Sequence, residues 1–165
     1  MSSKALTKIL LLCSVAVSLI PWECAATTTV YKCDSNNTQA MDGVTLENCS
    51  VPRCPLKRNT TMHVEIKFKS EFNIKDIITE VYGHVFNIPV PLLGVDNKSV
   101  CNNIFTADGA KTTCPLLKGN DYVYKDIVRI LEVYPKLKIN VHYSLKDPTT
   151  KKIVACFEVP AKITD

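Results

Sequence analysis

The chain has 165 residues with a net charge of +4, and 46% of its residues are hydrophobic. This length suits one domain with a substantial hydrophobic core. The charge is small and its lysines and arginines are dispersed, so the composition argues against nucleic acid as a partner.

The first 26 residues have the pattern of a secretory signal peptide. Two lysines precede an apolar run at 9–20, and Cys24-Ala25-Ala26 supplies small residues at a cleavage site. Crossing a bilayer takes about 20 apolar residues, so this run is too short for a membrane anchor. We therefore expect residues 1–26 to be removed and 27–165 to form one secreted domain.

Alternation of apolar and polar residues predicts β-strands along most of the remaining chain. The clearest case is 61–69, where every second residue from Met62 to Phe68 is apolar. At 74–80, the alternative to an extended chain is a single helical turn before the strand predicted at 77–86. In chain order, the predicted strands are 29–32, 44–47, 61–69, 77–86, 122–131, 137–146 and 153–159.

Clusters of proline, glycine and asparagine separate these segments. Asp147-Pro148-Thr149-Thr150 has the composition of a hairpin turn between the last two strands. About seven short strands with little helix signal favour an all-β, immunoglobulin-like sandwich of two antiparallel sheets. We find no repeat, low-complexity tract or linker, so one domain is expected.

Six cysteines follow the predicted signal peptide, and an even number in a secreted chain indicates disulfide bonds. Cys49 and Cys54 are close enough in sequence for a zinc knuckle. No histidine is near them and the compartment is oxidising, so we interpret the pair as a bridged loop. The six cysteines are Cys33, Cys49, Cys54, Cys101, Cys114 and Cys156.

Four Asn-x-Ser/Thr sequons support the same secreted compartment. The sequon at Asn48 is the weakest, because a cysteine that we expect to be bridged stands at its centre. Glycan attachment is therefore expected at Asn36, Asn59 and Asn97.

The sequence lacks the common catalytic and phosphate-binding motifs: a Gly-x-Ser-x-Gly elbow, His-Glu-x-x-His and a glycine-rich loop. His63 and His142 fall on polar faces of predicted strands, where an exposed imidazole is expected, while the position of His84 is undefined. Glu158 is expected to face outward. We therefore predict no enzyme activity, no catalytic residue, no metal site and no cofactor.

Apolar and aromatic residues cluster around proline-rich segments at 86–93 and 133–135. A packed core and a ligand cavity use the same residue types, so this clustering fits both.

Several short motifs occur in a specific order along the mature chain. They are Asp42-Gly43-Val44, Cys54-Pro55-Leu56, Ile88-Pro89-Val90-Pro91, Cys114-Pro115-Leu116, Tyr122-Val123-Tyr124, Tyr134-Pro135 and Cys156-Phe157-Glu158-Val159-Pro160. With these motifs in this order, the chain resembles the Niemann-Pick type C2 family, within the wider lipid-recognition (ML) domain family. The resemblance covers essentially the whole mature chain.

This resemblance implies a sandwich that admits a sterol, a fatty acid or another small apolar lipid between its sheets, without a cofactor. It also implies the disulfides Cys33–Cys156, Cys49–Cys54 and Cys101–Cys114. The ligand-binding residues that it implies are Met62, Val64, Ile66, Leu92, Leu93, Ile130, Tyr134, Pro135, Tyr143 and Phe157.

The implied pocket departs from that of the sterol carriers in the family. Tyr143 and Phe157 stand where those proteins often have tryptophan, and Leu92 stands where they have phenylalanine. Sterol and fatty acid therefore both remain open as the ligand.

Two roles also remain open. One is a secreted carrier that transfers its lipid, and the other is a recognition module that presents lipid to a receptor in innate immunity or chemical communication. The expected partners are the lipid and a membrane-protein acceptor or receptor, and the protein is expected to be a monomer. Its expected location is extracellular, with the lysosomal lumen as the alternative.

Overall fold

The computed structural model describes residues 30–33, 41–49 and 53–165. The predicted signal peptide and the sequon at Asn36 lie outside the described residues. The sequon asparagines Asn59 and Asn97 are both exposed.

The described part of the chain contains eleven strands and one 3-10 turn, Cys101–Asn103, joined by loops. Seven strands correspond to those predicted, whereas four short ones (β3, β6, β7 and β8) were not predicted, so the expected number of about seven is too low. Two to four residues are too few to show an alternating pattern. The strands are β1 Tyr31–Lys32, β2 Val44–Leu46, β3 Cys54–Lys57, β4 Thr61–Lys69, β5 Ile78–Val85, β6 Ile88–Pro91, β7 Ile104–Thr106, β8 Lys111–Thr112, β9 Asp121–Arg129, β10 Lys138–Lys146 and β11 Ile153–Thr164.

The strands form two sheets, as the predicted sandwich requires. One sheet has the order β1-β11-β10-β5-β6, with β3 also pairing with β11, and the other has the order β2-β4-β9-β7-β8. All pairs are antiparallel except β3 with β11. The predicted all-β, immunoglobulin-like sandwich is therefore confirmed.

The alternative of a helical turn at 74–80 is wrong. Ile74 instead exchanges two backbone hydrogen bonds with Leu116, with N···O distances of 2.9 and 2.8 Å. These bonds hold the segment extended before β5 begins, and Ile74 is fully buried. None of the described residues forms a helix long and apolar enough to cross a membrane.

Inward-facing residues of the two sheets form successive layers along the strands. On one side, Val64 of β4 lies opposite Asp126 of β9, and Ile66 lies opposite Tyr124 one layer further along. On the other side, Tyr143 of β10 lies between its neighbours on β5 and β11. Because side chains alternate between faces, each step of two residues moves one layer along the core.

All three expected disulfides are confirmed. Cys33–Cys156 joins the residue after β1 to β11, across 123 positions of sequence. Cys49–Cys54 and Cys101–Cys114 close short loops of the chain. The long bridge therefore connects the two ends of the described domain.

His142 is buried, contrary to the expectation of an exposed imidazole. Its strand β10 is central in its sheet, and its ring stacks on Tyr82 of β5 with 4.4 Å between centroids. The carboxylate of Glu158 on β11 lies 3.2 Å from His142 Nδ1. Long neighbouring side chains and the Cys33–Cys156 bridge therefore cover this part of the outer face, and Glu158 is buried as well.

His63 is exposed, as expected, and pairs with Glu47. His84 lies half-buried on the outer face of β5, with its ring 5.1 Å from that of Tyr82.

Candidate functional site

An apolar chamber of about 210 Å³ lies between the sheets at the end where β5 finishes and β10 begins. Tyr134 and Pro135, just before β10, form part of its wall, and Ile139 of β10 forms another part. Gly83 of β5 lies among these residues. Because this strand position carries no side chain, Ile139 Cδ1 can pack close to it: a Cβ atom on Gly83 would lie only 3.1 Å away.

A second, smaller chamber of about 30 Å³ lies deeper between the sheets. Leu56, Leu92 and Ile130 line both chambers, so they form the boundary between outer and inner space. Beyond this boundary, Tyr143 and Phe157 line the inner end, with their rings parallel and 5.4 Å apart.

The structure brings eight of the ten sequence-predicted ligand residues to these chambers and leaves two away from them. Ile66 and Leu93 line neither chamber. The eight that do are Met62, Val64, Tyr143 and Phe157 in the inner chamber, Tyr134 and Pro135 in the outer chamber, and Leu92 and Ile130 in both.

Ile66 and Leu93 miss the chambers for opposite reasons. Ile66 is fully buried and pairs with Tyr124, one layer beyond Val64, so it belongs to the solid core past the inner chamber. Leu93 is 59% exposed at the surface, and its carbonyl oxygen accepts a hydrogen bond from the Tyr134 hydroxyl at 3.1 Å.

Sequence reasoning missed several wall residues, of which Leu56 and Gly83 are the most informative. Leu56 lies on β3, a four-residue strand for which the sequence has no periodic signal. Gly83 was part of a predicted strand, and a glycine within a strand marks a place of close approach or open space. Gly83 is therefore the feature of the sequence that could have indicated the outer chamber.

The chamber walls offer hydrocarbon and aromatic carbon rather than charge. Their two phenols, Tyr134 and Tyr143, are hydrogen-bonded to other protein groups. Burial raises the pKa of both, so the phenols remain neutral at physiological pH. Such walls favour the apolar portion of a ligand and give a charged group no partner.

Exposed apolar side chains flank the outer chamber. Val85 and Val90 line it, and between them the chain turns at Phe86-Asn87 with φ values of 50° and 64°. Phe86 is 93% exposed. The turn therefore presents apolar surface beside the chamber.

A larger groove of about 680 Å³ lies on the outer face of the five-stranded sheet. It is lined by charged side chains, including Lys125, whose Nζ lies 3.2 Å from Glu65 Oε2. This groove is open and already ion-paired, so it is a weaker candidate for an apolar ligand.

Two groups of potential metal ligands occur among the described residues. One is His142 with Cys33 and Cys156, and the other is Asp76 with Cys101 and Cys114. In each group the two sulfurs belong to one disulfide. Cysteine binds a metal as a thiolate, so in the disulfide form each group keeps only one ordinary ligand, His142 or Asp76.

Comparison with known proteins gives a consistent match. The family model described as the ML domain matches residues 27–163. A Drosophila melanogaster protein, NPC intracellular cholesterol transporter 2 homolog a, is 34% identical over 122 residues, covering 73% of this chain and 77% of that protein. The ecdysteroid-regulated 16 kDa protein of Manduca sexta is 30% identical over 110 residues, covering 67% and 70% respectively.

A solved structure shares the fold. The Niemann-Pick type C2 protein from Japanese carpenter ant aligns with a TM-score of 0.63 at 19% identity, covering 84% of this chain and 95% of that one. This similarity shows a common two-sheet architecture.

Proposed function

The chain belongs to the ML-domain family, and from that premise we propose that it is a soluble carrier that binds a small apolar lipid between its two sheets. The observation that carries this proposal is the pair of apolar chambers that share Leu56, Leu92 and Ile130 as a common boundary. A lipid tail entering the outer chamber needs only these aliphatic side chains to move before it reaches the inner one.

The energetics are compatible with useful binding. Burying roughly 400 Å² of apolar ligand surface at about 25 cal/mol per Å² contributes on the order of 10 kcal/mol. Association costs roughly 4–15 kcal/mol. The most favourable balance of these two figures is about 6 kcal/mol, which corresponds to a dissociation constant of roughly 40 μM.

Sterols and fatty acids are the proposed ligand classes. The name of the Drosophila relative refers to cholesterol transport, which supports an apolar lipid of this kind. The neutral, hydrocarbon-rich walls suit the apolar part of either class. We propose that the polar end of the ligand stays near Tyr134 and Pro135, close to water.

We further propose that the protein acts without catalysis, as a monomer, in the extracellular space or the lysosomal lumen. The exposed positions of Asn59 and Asn97 suit glycan attachment. The exposed apolar turn at Phe86-Asn87 supports a membrane or membrane-protein acceptor to which the lipid is handed over.

Binding and vesicle transfer test the carrier proposal together. The purified mature protein is titrated with a fluorescent fatty acid and a fluorescent sterol, and is then used to move each probe between donor and acceptor vesicles. We expect saturable binding of at least one probe and transfer that increases with protein concentration. Binding without accelerated transfer would argue for a recognition role, and the absence of both would contradict lipid carriage.

A further inference from the structure

A row of polar side chains lies directly beyond the inner chamber. The hydroxyl oxygens of Tyr143 and Tyr124 are 2.7 Å apart, and the Tyr124 hydroxyl donates to Asp126 Oδ2 at 2.9 Å. Asn103 Nδ2 and the backbone N–H of Ile127 donate to the other carboxylate oxygen at 3.1 and 2.8 Å. The row therefore runs from the cavity wall to Asp126 on β9, the central strand of the five-stranded sheet.

The direction of these hydrogen bonds follows from the chemistry of the groups. Tyr124 has a single hydroxyl hydrogen, and the carboxylate of Asp126 accepts it. The hydrogen between the two phenols must then come from Tyr143, so Tyr143 donates to Tyr124. Burial raises the pKa of both phenols, which keeps both hydrogens in place at physiological pH.

Tyr143 and Tyr124 occupy consecutive layers of the core. Tyr143 lines the inner chamber with its ring against Phe157, whereas Tyr124 lies in the next layer with Ile66 and is fully buried. The open space therefore ends at Tyr143, and Tyr124 holds that residue from behind.

The two ends of the inner chamber differ in how easily they can move. Leu92, at the boundary with the outer chamber, has only an aliphatic side chain and can change rotamer without losing a hydrogen bond. Displacing the Tyr143 ring would break its bond to Tyr124 in the interior, where an unsatisfied hydroxyl is costly. A ligand can widen the cavity at Leu92 more easily than it can deepen the cavity past Tyr143.

We propose that the row Tyr143-Tyr124-Asp126 fixes the floor of the cavity and so limits the length of the apolar segment that a bound lipid can insert. This inference rests on the proposed lipid-binding function. Ile139 at the outer chamber and Tyr143 at the floor are four residues apart on one strand, which gives a depth of about 13 Å at about 3.3 Å per residue. The ligand class is a single-chain amphiphile with an apolar segment of that order.

The experiment measures binding of a homologous series of saturated fatty acids, from octanoate to octadecanoate, by displacement of one fluorescent fatty acid. For the parent protein, we expect affinity to rise about fourfold for each added methylene until the chain reaches the floor. It should then level off or fall. The limiting chain length is the readout, because a general loss of stability would weaken all members of the series without shifting that limit.

Three variants move or loosen the floor to different degrees. Tyr143→Leu shortens the side chain and should extend the rise in affinity to longer acids. Tyr143→Phe and Tyr124→Phe keep the ring volume but remove the bond between the phenols, and they should raise the affinity of acids beyond the parent limit by several fold. If Tyr143→Leu does not fold, Tyr143→Phe and Tyr124→Phe still test whether this row limits the chain length.

Tyr122→Phe is the matched control, because its hydroxyl accepts a hydrogen bond from the Leu117 N–H at 2.9 Å and it lines neither chamber. It should keep the parent limit. Two results would overturn the proposal that this row limits the chain length. One is an unchanged limiting chain length in the folded Tyr143 and Tyr124 variants, and the other is an affinity of the parent that keeps rising across the whole series. Failure of the parent to bind any acid or sterol probe would instead overturn the proposed function, and the floor with it.

Discussion

Gly83 and Ile139 lie so close across neighbouring strands that a Cβ atom on Gly83 would be 3.1 Å from Ile139 Cδ1. The same atom would lie 3.8 Å from Leu92 Cδ1. All three residues line the outer chamber, so a side chain at position 83 would crowd Ile139 and Leu92 and push them into the space that a ligand can occupy.

Substituting Gly83 should therefore fill the outer chamber. We expect Gly83→Val to weaken binding of a fluorescent lipid by about 2 kcal/mol, a thirtyfold change, because the ligand loses the burial of two or three methylene groups. Gly83→Ala should have a smaller effect in the same direction. Titration of each variant with the same probe is the measurement, and parent-like affinity in Gly83→Val would contradict this role of the chamber.

Leu92→Asp should preserve folding and impair binding. Leu92 is half-buried at the boundary between the chambers, where a carboxylate can stay hydrated in the empty protein but is desolvated when an apolar ligand enters. We expect at least a roughly tenfold loss of affinity with a thermal unfolding temperature near that of the parent.

Leu93→Asp is the matched control, since Leu93 is the next residue in sequence but is exposed and lines neither chamber. It should bind the probe as the parent does. Equal affinities for Leu92→Asp and the parent would place the ligand elsewhere.

Ile66→Asp should impair folding itself. Ile66 is fully buried in the layer beyond the inner chamber, and a carboxylate there would lack both water and a cationic partner at the position of a core side chain. We expect a loss of about 3 kcal/mol or more in the free energy of unfolding, measured by urea denaturation. Lys67→Gln, on the exposed face of the same strand, should be nearly neutral, because it loses only an exposed ion pair with Glu65. Similar stabilities for the two variants would refute the assignment of Ile66 to the core.

Glu80 should contribute to the pH dependence of stability. The hydrogen bond from Lys146 lowers the pKa of Glu80 below its ordinary value of 4.5. A depressed pKa in the folded state gives a contribution that is present near neutral pH and is lost as the pH falls below 4.5 through the folded-state pKa. Because the side chain is partly exposed, the contribution is modest.

Urea unfolding of the parent and of Glu80→Gln at neutral pH and at acidic pH measures this contribution. The difference in stability between the two proteins should shrink on acidification. Glu71→Gln, at an exposed position, serves as the control with little expected effect. A constant difference between parent and Glu80→Gln at all pH values would exclude the Glu80–Lys146 pair as the cause.

The long strands could be predicted because each carries its own pattern. In β4 and β10, alternation over nine residues identifies both the strand and the inward face, and it correctly places Val64 and Tyr143 between the sheets. Strand β3 has four residues and pairs with β11, which is far away in sequence, whereas β8 has two residues and pairs with the three-residue β7. No local pattern could reveal them.

Two features of the site required knowledge of cross-strand neighbours. The burial of His142 arises from Tyr82 and Glu158, which different strands bring beside it. The limit of the cavity at Tyr143, with Ile66 beyond it, depends on which inward-facing residues share a layer. Alternation identifies a face, but it does not tell where open space along that face ends.

The most direct test of the central claim, that an apolar lipid occupies the space between the sheets, is native mass spectrometry of the purified protein. We expect a complex with one lipid that organic extraction removes. The complex should form again when that lipid is added back to the parent, and much less of it should form with Gly83→Val. A protein that carries no lipid and takes up neither sterol nor fatty acid after delipidation would contradict this claim, as would equal reloading of the parent and Gly83→Val.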